Sequence, residues 1–331
     1  MKVLYITNMY PVDDYPSFGI HVKEQIQSLR KLKNIDSDLI FINGRRSRLN
    51  YIKSIFTIKN KIKNNRYDII HIHYGISGLF LFFFKPPEPI VITLHSGELF
   101  GQKSFINRFL QKTITLNILK YAKKVIVLND ETIELLYKYK NKLIKLPCGI
   151  NINQFDEIKQ TKSTSHFKIG FPSNRQRIEK NYQLFIKIIN ELKKDFEIKI
   201  IEFANMSRQE VLVNLNDLDL LLMTSLVEGS PQIIKEAMAC NKPIISTAVG
   251  DVEDLLNNVD NCYVVNTFNS GDFISPIQKI LNLPPEKRKS NGRLKLIEMG
   301  MDEESISARL YNVYESITYN STAQHTTYYT K

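Results

Sequence analysis

The sequence predicts an α/β fold built from two Rossmann-like domains with parallel sheets that face a cleft. Two observations carry this prediction: strand-like and helix-like segments alternate along the chain, and the alternation pauses at a polar stretch before it resumes. At 331 residues the chain is long enough for two domains with substantial cores. The predicted divisions are residues 1–160, residues 161–300, a C-terminal helix at 301–319 that packs back toward the first domain, and a polar tail at 320–331.

In the first half, short runs rich in Val and Ile alternate with segments of helical periodicity. The runs predict buried strands because they end at polar or turn-forming residues. The other segments predict helices because their apolar residues recur three and four positions apart. The predicted strands are 2–7, 38–42, 68–73, 89–93, 124–128 and 143–146, and the predicted helices are 20–32, 104–121 and 131–139.

The second half begins after the polar stretch Asn153–His166, which is the predicted linker. Ser207 and Glu210 fit a capping box at the start of one helix. A polar composition predicts a disordered tail after Tyr319. The predicted strands are 167–171, 197–201, 219–223, 243–247 and 263–266, and the predicted helices are 182–194, 208–214, 275–281, 287–299 and 303–317.

Composition narrows the class of protein. Hydrophobic content of 43% and charged content of 24% are typical of a soluble globular protein. Cys148, Cys240 and Cys262 have no metal-like spacing, so we expect free thiols in a reducing compartment. No signal sequence precedes the first strand, and the longest apolar run, 75–84, is too short to cross a bilayer. These features predict a cytoplasmic location.

Positive charge is concentrated in the first half of the chain. Residues 1–165 carry 26 Lys and Arg against 13 Asp and Glu, which predicts a polyanionic partner, either nucleic acid or anionic lipid. Residues 45–67 contain eight basic residues and no acid, together with a stripe at helical spacing. Either the stripe packs on the sheet and the lysines beside it are merely solvated, or the cationic face beside the stripe rests on anionic lipid headgroups. The stripe consists of Ile52, Ile55, Phe56, Lys59 and Ile62.

A short helix is predicted after the loop that follows strand 219–223. Ser230 is the expected N-cap, and Pro231 suits the first helical position because it has no N–H to satisfy. The N–H groups of Gln232 and Ile233 would then point toward an anion. Gly229 would let the backbone approach that ligand closely.

Two carboxylates flank this predicted anion site. Glu228 lies just ahead of the helix, and Glu236 lies on it, roughly 7–8 Å further along at the helical rise of about 1.5 Å per residue. A nucleotide sugar needs such an arrangement, with the helix start for the diphosphate and carboxylates for hydroxyls. The alternative is a solvated amphipathic helix that carries two incidental acids.

Cationic side chains follow the first strand of the second domain. Arg175, Arg177 and Lys180 could neutralise a diphosphate leaving group, since this loop and the Gly229 loop would converge from adjacent strand ends. The alternative is a solvated basic loop. The chain lacks the glycine-rich dinucleotide and P-loop patterns and the HExxH, paired CxxC and GxSxG patterns, which removes the main support for those chemistries.

Histidines also occur at predicted strand ends. His71 and His73 alternate on one strand, where a structural role is the simpler interpretation. His95 ends the strand-like run Val-Ile-Thr-Leu-His and is followed by a Ser-Gly-Glu loop, so it is the better candidate for a site residue.

Five segments, in order, resemble the retaining glycosyltransferases of family 4, which have the GT-B architecture. The segment Glu228–Pro243 resembles the Glu-x7-Glu signature, and its Glu-Gly-Ser-Pro form resembles members that build bacterial surface polysaccharides such as teichuronic or capsular chains. Arg177–Asn181 resembles the lysine-bearing diphosphate loop. The other matching segments are Lys145–Asn151, Thr93–Gly97 and Phe18–Gly19, the last resembling the N-terminal glycine loop.

The resemblance implies roles for the candidate residues. Glu236 would hold the ribose, Glu228 the donor sugar, Lys180 with one of the two arginines the diphosphate, and His95 the outer hydroxyls of the sugar. Phe18 and Gly19 would form an acceptor or diphosphate loop. Transfer would retain configuration, with the departing diphosphate assisting the acceptor. No cofactor and no metal would be needed, and a UDP-linked donor is favoured over a GDP-linked one.

The expected protein is thus a cytoplasmic enzyme, peripheral at the inner face of the membrane, that elongates a glycan or lipid-linked glycan. A nucleotide-sugar epimerase of the same fold and a nucleic-acid-binding protein are the alternatives. This chain departs from the family pattern at several positions. It has one glycine in place of a pair, Cys148 in place of asparagine, Asn151 in place of aspartate, and Asn181 in place of glycine.

Overall fold

The computed structural model describes residues 1–100, 105–158 and 166–326. Within these residues the chain forms two compact units, one with a sheet of six parallel strands and the other with a sheet of five. The predicted α/β class with two parallel sheets is confirmed. Unit 1 comprises residues 1–12, 18–149 and 304 onward, and unit 2 comprises residues 13–17 and 150–303.

The sheet of unit 1 has the strand order β2-β1-β3-β4-β5-β6. Its central strands are buried along almost their whole length, as expected for a parallel sheet that is covered on both faces. The strands are β1 (Lys2–Thr7), β2 (Asp36–Phe41), β3 (Ile69–His73), β4 (Ile90–Thr93), β5 (Lys124–Val127) and β6 (Leu143–Lys145). The helices are α1 (Ile20–Lys33), α2 (Asn50–Asn64), α3 (Gly97–Phe100), α4 (Phe105–Ile118) and α5 (Asp130–Leu135), with 3-10 turns at Gly75–Phe82, Leu119–Tyr121 and Tyr137–Lys142.

The sheet of unit 2 has the strand order β11-β10-β9-β7-β8. Ser207 and Glu210 form the predicted capping box at the start of α7. The strands are β7 (Phe167–Phe171), β8 (Ile198–Glu202), β9 (Leu220–Met223), β10 (Ile244–Thr247) and β11 (Cys262–Val265). The helices are α6 (Tyr182–Leu192), α7 (Arg208–Asp217), α8 (Gln232–Ala239), α9 (Val252–Leu256), α10 (Gly271–Leu281) and α11 (Gly292–Glu298), with 3-10 turns at Ile178–Lys180 and Pro285–Lys287.

The C-terminal helix α12 (Glu303–Thr326) returns to unit 1, as predicted. Its Ser307 hydroxyl lies 2.6 Å from that of Ser28, and the hydroxyl of the buried Tyr314 lies 2.5 Å from Nδ1 of His71. The helix runs past Tyr319, where the sequence predicted its end. Residues 319–326 contain neither Gly nor Pro, and extending a formed helix costs little once it is nucleated.

Helix α2 turns a different face to the core than the sequence predicted. Ile55 and Ile58 are buried, whereas Ile52 and Phe56, which the sequence placed in one stripe with Ile55, are 55% and 68% exposed. The helix carries isoleucines on both sides, so periodicity alone did not show which side meets the sheet.

The boundary between the units falls at Gly149–Ile150 rather than after residue 160. Phe155 is fully buried and Asn216 donates a hydrogen bond to the carbonyl oxygen of Asp156, so the first part of the predicted linker is packed within unit 2. Residues 159–165 of that linker, and 327–331 of the predicted tail, lie outside the described residues. No helix among the described residues is long and apolar enough to span a bilayer.

Candidate active site

In unit 2, the loops that follow β7 and β9 meet at the carboxyl edge of the sheet, because these two strands are neighbours. Lys180 Nζ forms an ion pair with Glu228 Oε1, and the Ser225 hydroxyl donates to the same oxygen at 2.7 Å. The Lys180 and Glu228 side chains are only 10% and 13% exposed. Convergence of the two loops, predicted from strand order, is therefore observed as a largely buried charge pair.

The loop that carries Lys180 is held by its backbone. Thr224 donates its hydroxyl to the carbonyl oxygens of Lys180 and Asn181, at 3.2 and 3.1 Å, and Leu226 N–H donates to Glu179 O at 2.8 Å. Asn181 has a φ of 51°, and its side chain accepts from Leu184 N–H at the start of α6. Asparagine tolerates this left-handed conformation, which explains how it replaces the glycine of the family pattern.

Helix α8 begins one residue later than predicted. Pro231 is its N-cap, and no side chain caps the helix there, so the prediction of Ser230 as N-cap was wrong. The Ser230 hydroxyl instead donates to Asp251 Oδ2 at 2.5 Å and accepts from Lys235 Nζ at 3.1 Å. Burial raises the pKa of the Asp251 carboxyl. Ser230 is thus part of a buried polar cluster rather than a cap.

The remaining predicted residues of this stretch lie where the sequence placed them. Gln232 and Ile233 are the first residues of α8 and are partly exposed. Gly229 lies against the turn at Gly250, where a β-carbon on Gly250 would come within 2.5 Å of the Gly229 carbonyl oxygen. The turn after β10 therefore packs directly on the Glu228–Gly229 loop.

Glu236 is 3% exposed and lies on α8, as predicted. Its Oε1 accepts from Arg208 Nη1 at 2.6 Å, and the Arg208 guanidinium lies 4.5 Å from the centre of the Phe155 ring. Sequence reasoning missed Arg208, because nothing in its spacing from Glu236 indicates that α7 and α8 are neighbours.

The two candidate arginines are engaged with acids. Arg175 donates through Nε to Glu202 Oε2 at 2.7 Å, and Arg177 donates through Nε and Nη2 to Glu179 Oε1 at 2.9 and 2.7 Å. Both arginine side chains are more than half exposed. Among the described residues, no ion pair joins either arginine to Glu228.

In unit 1, His95 lies just beyond the carboxyl end of β4. The buried Glu98 carboxylate accepts the His95 and Gly75 backbone N–H groups at 3.1 and 3.2 Å. The Tyr74 ring stacks on the imidazole with centroids 4.2 Å apart. His73 Nδ1 lies 3.2 Å from His95 Nε2. Burial lowers the pKa of His95 well below its usual range, so the imidazole is neutral.

Phe18 and Gly19 lie at the start of α1. Gly19 has a φ of 66°, and a β-carbon there would come within 2.4 Å of the Met9 carbonyl, so only glycine fits. The Arg45 guanidinium lies 4.1 Å from the centre of the Phe18 ring. Gly19 alone therefore makes the turn. Where the family has its other glycine, this chain has Phe18, whose ring lies against the Arg45 guanidinium.

Two glycosyltransferase family models match successive parts of the chain. Residues 11–154 match the model described as Glycosyltransferase Family 4, and residues 195–294 match the model described as Glycosyl transferases group 1. An uncharacterized glycosyltransferase of Methanocaldococcus jannaschii is 27% identical in an alignment of 273 residues, with 74% of each chain covered.

Solved structures share the fold. Sucrose-phosphate synthase from Thermosynechococcus elongatus superposes with a TM-score of 0.79 at 16% identity, over 95% of this chain and 98% of that one. Anabaena HepE in complex with UDP and glucose superposes with a TM-score of 0.67 at 14% identity, over 95% and 99% of the two chains. Two successive segments of the chain are thus similar to glycosyltransferases, and the chain shares the fold of these solved structures.

Proposed function

We propose that this protein transfers a sugar, with retention of configuration and without a metal, from a UDP-sugar to a glycan or lipid-linked glycan of a surface polysaccharide. The observation that carries the proposal is the buried Lys180–Glu228 pair beside the start of α8, with Glu236 on the same helix. Lys180 supplies an ammonium group, the start of α8 supplies N–H groups, and Glu228 and Glu236 supply carboxylates, which suits a nucleoside diphosphate attached to a polyol. The UDP and glucose bound to HepE support a uridine donor.

The proposed reaction uses these groups as follows. The bond between the anomeric carbon and the diphosphate oxygen breaks, and the diphosphate leaves with the electron pair. Lys180 and the N-terminal N–H groups of α8 stabilise the charge that grows there. The acceptor hydroxyl attacks on the face from which the diphosphate departs and gives its proton to a phosphate oxygen. Glu236 binds the ribose, and Glu228 and His95 orient hydroxyls of the transferred sugar.

Lysine variants test the diphosphate role. Lys180→Met should weaken UDP binding, measured by titration calorimetry, by roughly ten- to a hundredfold, the range for one charge-assisted hydrogen bond. Lys187→Met is the matched control, since Lys187 is an exposed lysine on the adjacent helix α6. Equal UDP affinity in the wild type and Lys180→Met would refute the assignment.

Glutamate variants test the ribose role and separate the two enzyme alternatives. Glu236→Ala should abolish most donor turnover, and Glu253→Ala, on the exposed side of α9, should not. After a thermal-shift screen selects a nucleotide sugar, release of UDP that depends on an added acceptor supports transfer. Conversion of the donor into its epimer with no acceptor present would support the epimerase alternative, which the glycosyltransferase matches do not favour.

We also propose that α2 rests on an anionic membrane. Leu49, Ile52 and Phe56 are spaced on one side of the helix and are 61%, 55% and 68% exposed. The exposed lysines 53, 59 and 63 fall on the same side by helical spacing. Apolar side chains surrounded by lysines suit a membrane surface, where the apolar side chains enter the boundary of the acyl chains and the ammonium groups bind the anionic headgroups.

Vesicle binding tests the membrane proposal. Replacing Ile52 and Phe56 by serine should reduce sedimentation with phosphatidylglycerol vesicles at least tenfold, while Leu294→Ser, an exposed leucine on α11, should not. Reversing the charge of residues 59, 61 and 63 should also reduce binding, with Lys61 contributing less because it pairs with Asp38 at 3.2 Å. Unchanged binding in the serine variant would refute the proposal.

A further inference from the structure

Four imidazoles gather at the carboxyl ends of β3 and β4 in unit 1. The rings of His71 and His73 stack with centroids 4.2 Å apart, and those of His73 and His95 with centroids 5.5 Å apart. His21 lies with its centroid 4.7 Å from that of His95, and its Nε2 lies 2.9 Å from the Tyr74 hydroxyl. His71 and His73 are fully buried. The proposed reaction uses only His95, so the buried pair calls for another explanation.

His71 has partners on both ring nitrogens, but His73 does not. His71 Nδ1 lies 2.5 Å from the Tyr314 hydroxyl, and its Nε2 lies 2.7 Å from that of Thr93. His73 Nδ1 lies 3.2 Å from His95 Nε2, whereas its Nε2 is buried with no hydrogen-bond partner among the described residues. The Nε2 atom of His73 therefore has no hydrogen-bond partner among the described residues, and this constrains which ring nitrogens of His73 and His95 carry protons.

The hydrogen bond between His73 and His95 has two possible directions. Burial and the neighbouring histidines lower the pKa values of both rings, so each is neutral and carries a single N–H. If His95 donated, His73 would carry its proton on Nε2, a buried donor without an acceptor. If His73 donates from Nδ1, its Nε2 is only a bare acceptor, and buried unpaired acceptors are better tolerated than buried unpaired donors.

We infer that His73 is a positioning residue: its Nδ1–H donates to His95 Nε2 and fixes His95 in the tautomer protonated on Nδ1. The recorded hydrogen bonds of His95 use Nε2 and the backbone N–H, and the ring is partly exposed, so Nδ1 is the ring nitrogen left for a ligand. That nitrogen presents a donor to solvent and ligand. His95 then offers a hydrogen bond to a hydroxyl oxygen and does not serve as a general base there.

The surrounding contacts hold the imidazole in the orientation that this tautomer needs. Glu98 anchors the His95 backbone N–H, and the Tyr74 ring covers one face of the imidazole. Ser96, the next residue, has a φ of 64°, which turns the chain sharply after the ring. The consequence for catalysis rests on the proposed function, in which His95 faces the donor sugar, but the tautomer itself does not depend on a ligand.

Nitrogen-15 NMR of the full chain labelled at histidine, without any ligand, tests the inference. Long-range proton–nitrogen spectra report which ring nitrogen is protonated, and His95→Gln identifies the His95 signals by their loss. The wild type should show His95 protonated on Nδ1. His73→Leu removes the donor and should move His95 at least partly to the Nε2–H form, whereas His73→Asn, whose amide can donate from the same place, should keep Nδ1–H.

A wild-type spectrum with the proton on His95 Nε2 would overturn the inference, and this result needs only the folded His95→Gln protein that identifies the signals. An unchanged His95 tautomer in a folded His73→Leu protein would overturn it as well. Transfer assays separate this outcome from failure of the proposed function: His73→Leu and His95→Gln should slow transfer by about tenfold, the size of one hydrogen bond, and His73→Asn should not. If His95→Gln transfers at the wild-type rate, the sugar-binding role of His95 fails while the tautomer assignment stands on the spectrum.

Discussion

The effects of Lys180→Met and Glu228→Gln on stability should be strongly coupled, because the two side chains form a largely buried ion pair. Lys180→Met leaves the Glu228 carboxylate only 13% exposed and hydrogen-bonded to Ser225 alone among its recorded partners. Removing one partner of a buried pair costs about 3–5 kcal/mol. We expect the lower end, about 3 kcal/mol, because the Ser225 hydroxyl remains. Glu228→Gln should cost about 2 kcal/mol, since the amide oxygen can still accept from Lys180 and Ser225.

The double variant decides between a coupled pair and two independent residues. With both charges removed and the side-chain volumes kept, no uncompensated charge is buried, so the loss should be about 2 kcal/mol in total. The resulting coupling energy of about 3 kcal/mol lies at the upper end of values for residues in direct contact.

Hydrogen exchange of the central strands β7 and β9 measures these losses within unit 2. A loss of about 3 kcal/mol accelerates exchange through unfolding by roughly a hundredfold, since each 1.4 kcal/mol is a factor of ten. Lys187→Met on α6 is the control for removal of a lysine. If the effects of the two single variants add in the double variant to within about 0.5 kcal/mol, the pair is not coupled and the reasoning fails.

Further predictions concern a glycine turn and a buried histidine. Gly250→Ala should destabilise unit 2 by at least 1–2 kcal/mol, because Gly250 has a φ of 63° and a β-carbon there would come within 2.5 Å of the Gly229 carbonyl oxygen. Gly271→Ala is the control and should be neutral in thermal melts, because a β-carbon at Gly271 would have its nearest neighbour 3.7 Å away. Equal losses of stability in the two variants would contradict this prediction. Burial lowers the pKa of His71 from 6.5 to about 3, so the stability that its neutral form contributes is complete above pH 6.5 and falls as the pH drops toward 3. Between pH 7.5 and 5.5 this loss is about 1.4 kcal/mol, and urea unfolding should show a shallower pH dependence for His71→Gln; identical slopes would refute it.

The strands and their order of appearance could be predicted from the sequence, and the candidate site follows from them. Runs such as Val3–Ile6 are buried on both faces, so the apolar pattern is continuous and its ends are sharp. Because ligand-binding loops follow the carboxyl ends of parallel strands, the sequence alone was enough to predict that the Lys180 loop and the Glu228 loop lie together. Their meeting in an ion pair agrees with that expectation.

Partners that depend on how helices lie beside each other could not be predicted. The Arg208–Glu236 pair joins α7 to α8, and 28 positions of sequence separation carry no signal for it. The exposed face of α2 was missed for a related reason: isoleucines lie on both sides of that helix, and only the packed structure shows that Ile52 is left out of the core. The Ser230 side chain was assigned to a cap because Asp251 was not known to lie within reach.

The contacts of Glu228 bear on its role within the proposed function. Its Oε1 already receives a hydrogen bond from the Lys180 ammonium and one from the Ser225 hydroxyl. A carboxylate held by a cation and a hydroxyl is a weaker nucleophile, because attack on carbon would require breaking both interactions of a side chain that is only 13% exposed. Lys180 has three N–H donors, so it can contact a diphosphate while it still holds Glu228. We therefore expect Glu228 to act as a fixed acceptor for a sugar hydroxyl beside the leaving group rather than to form a covalent glycosyl intermediate.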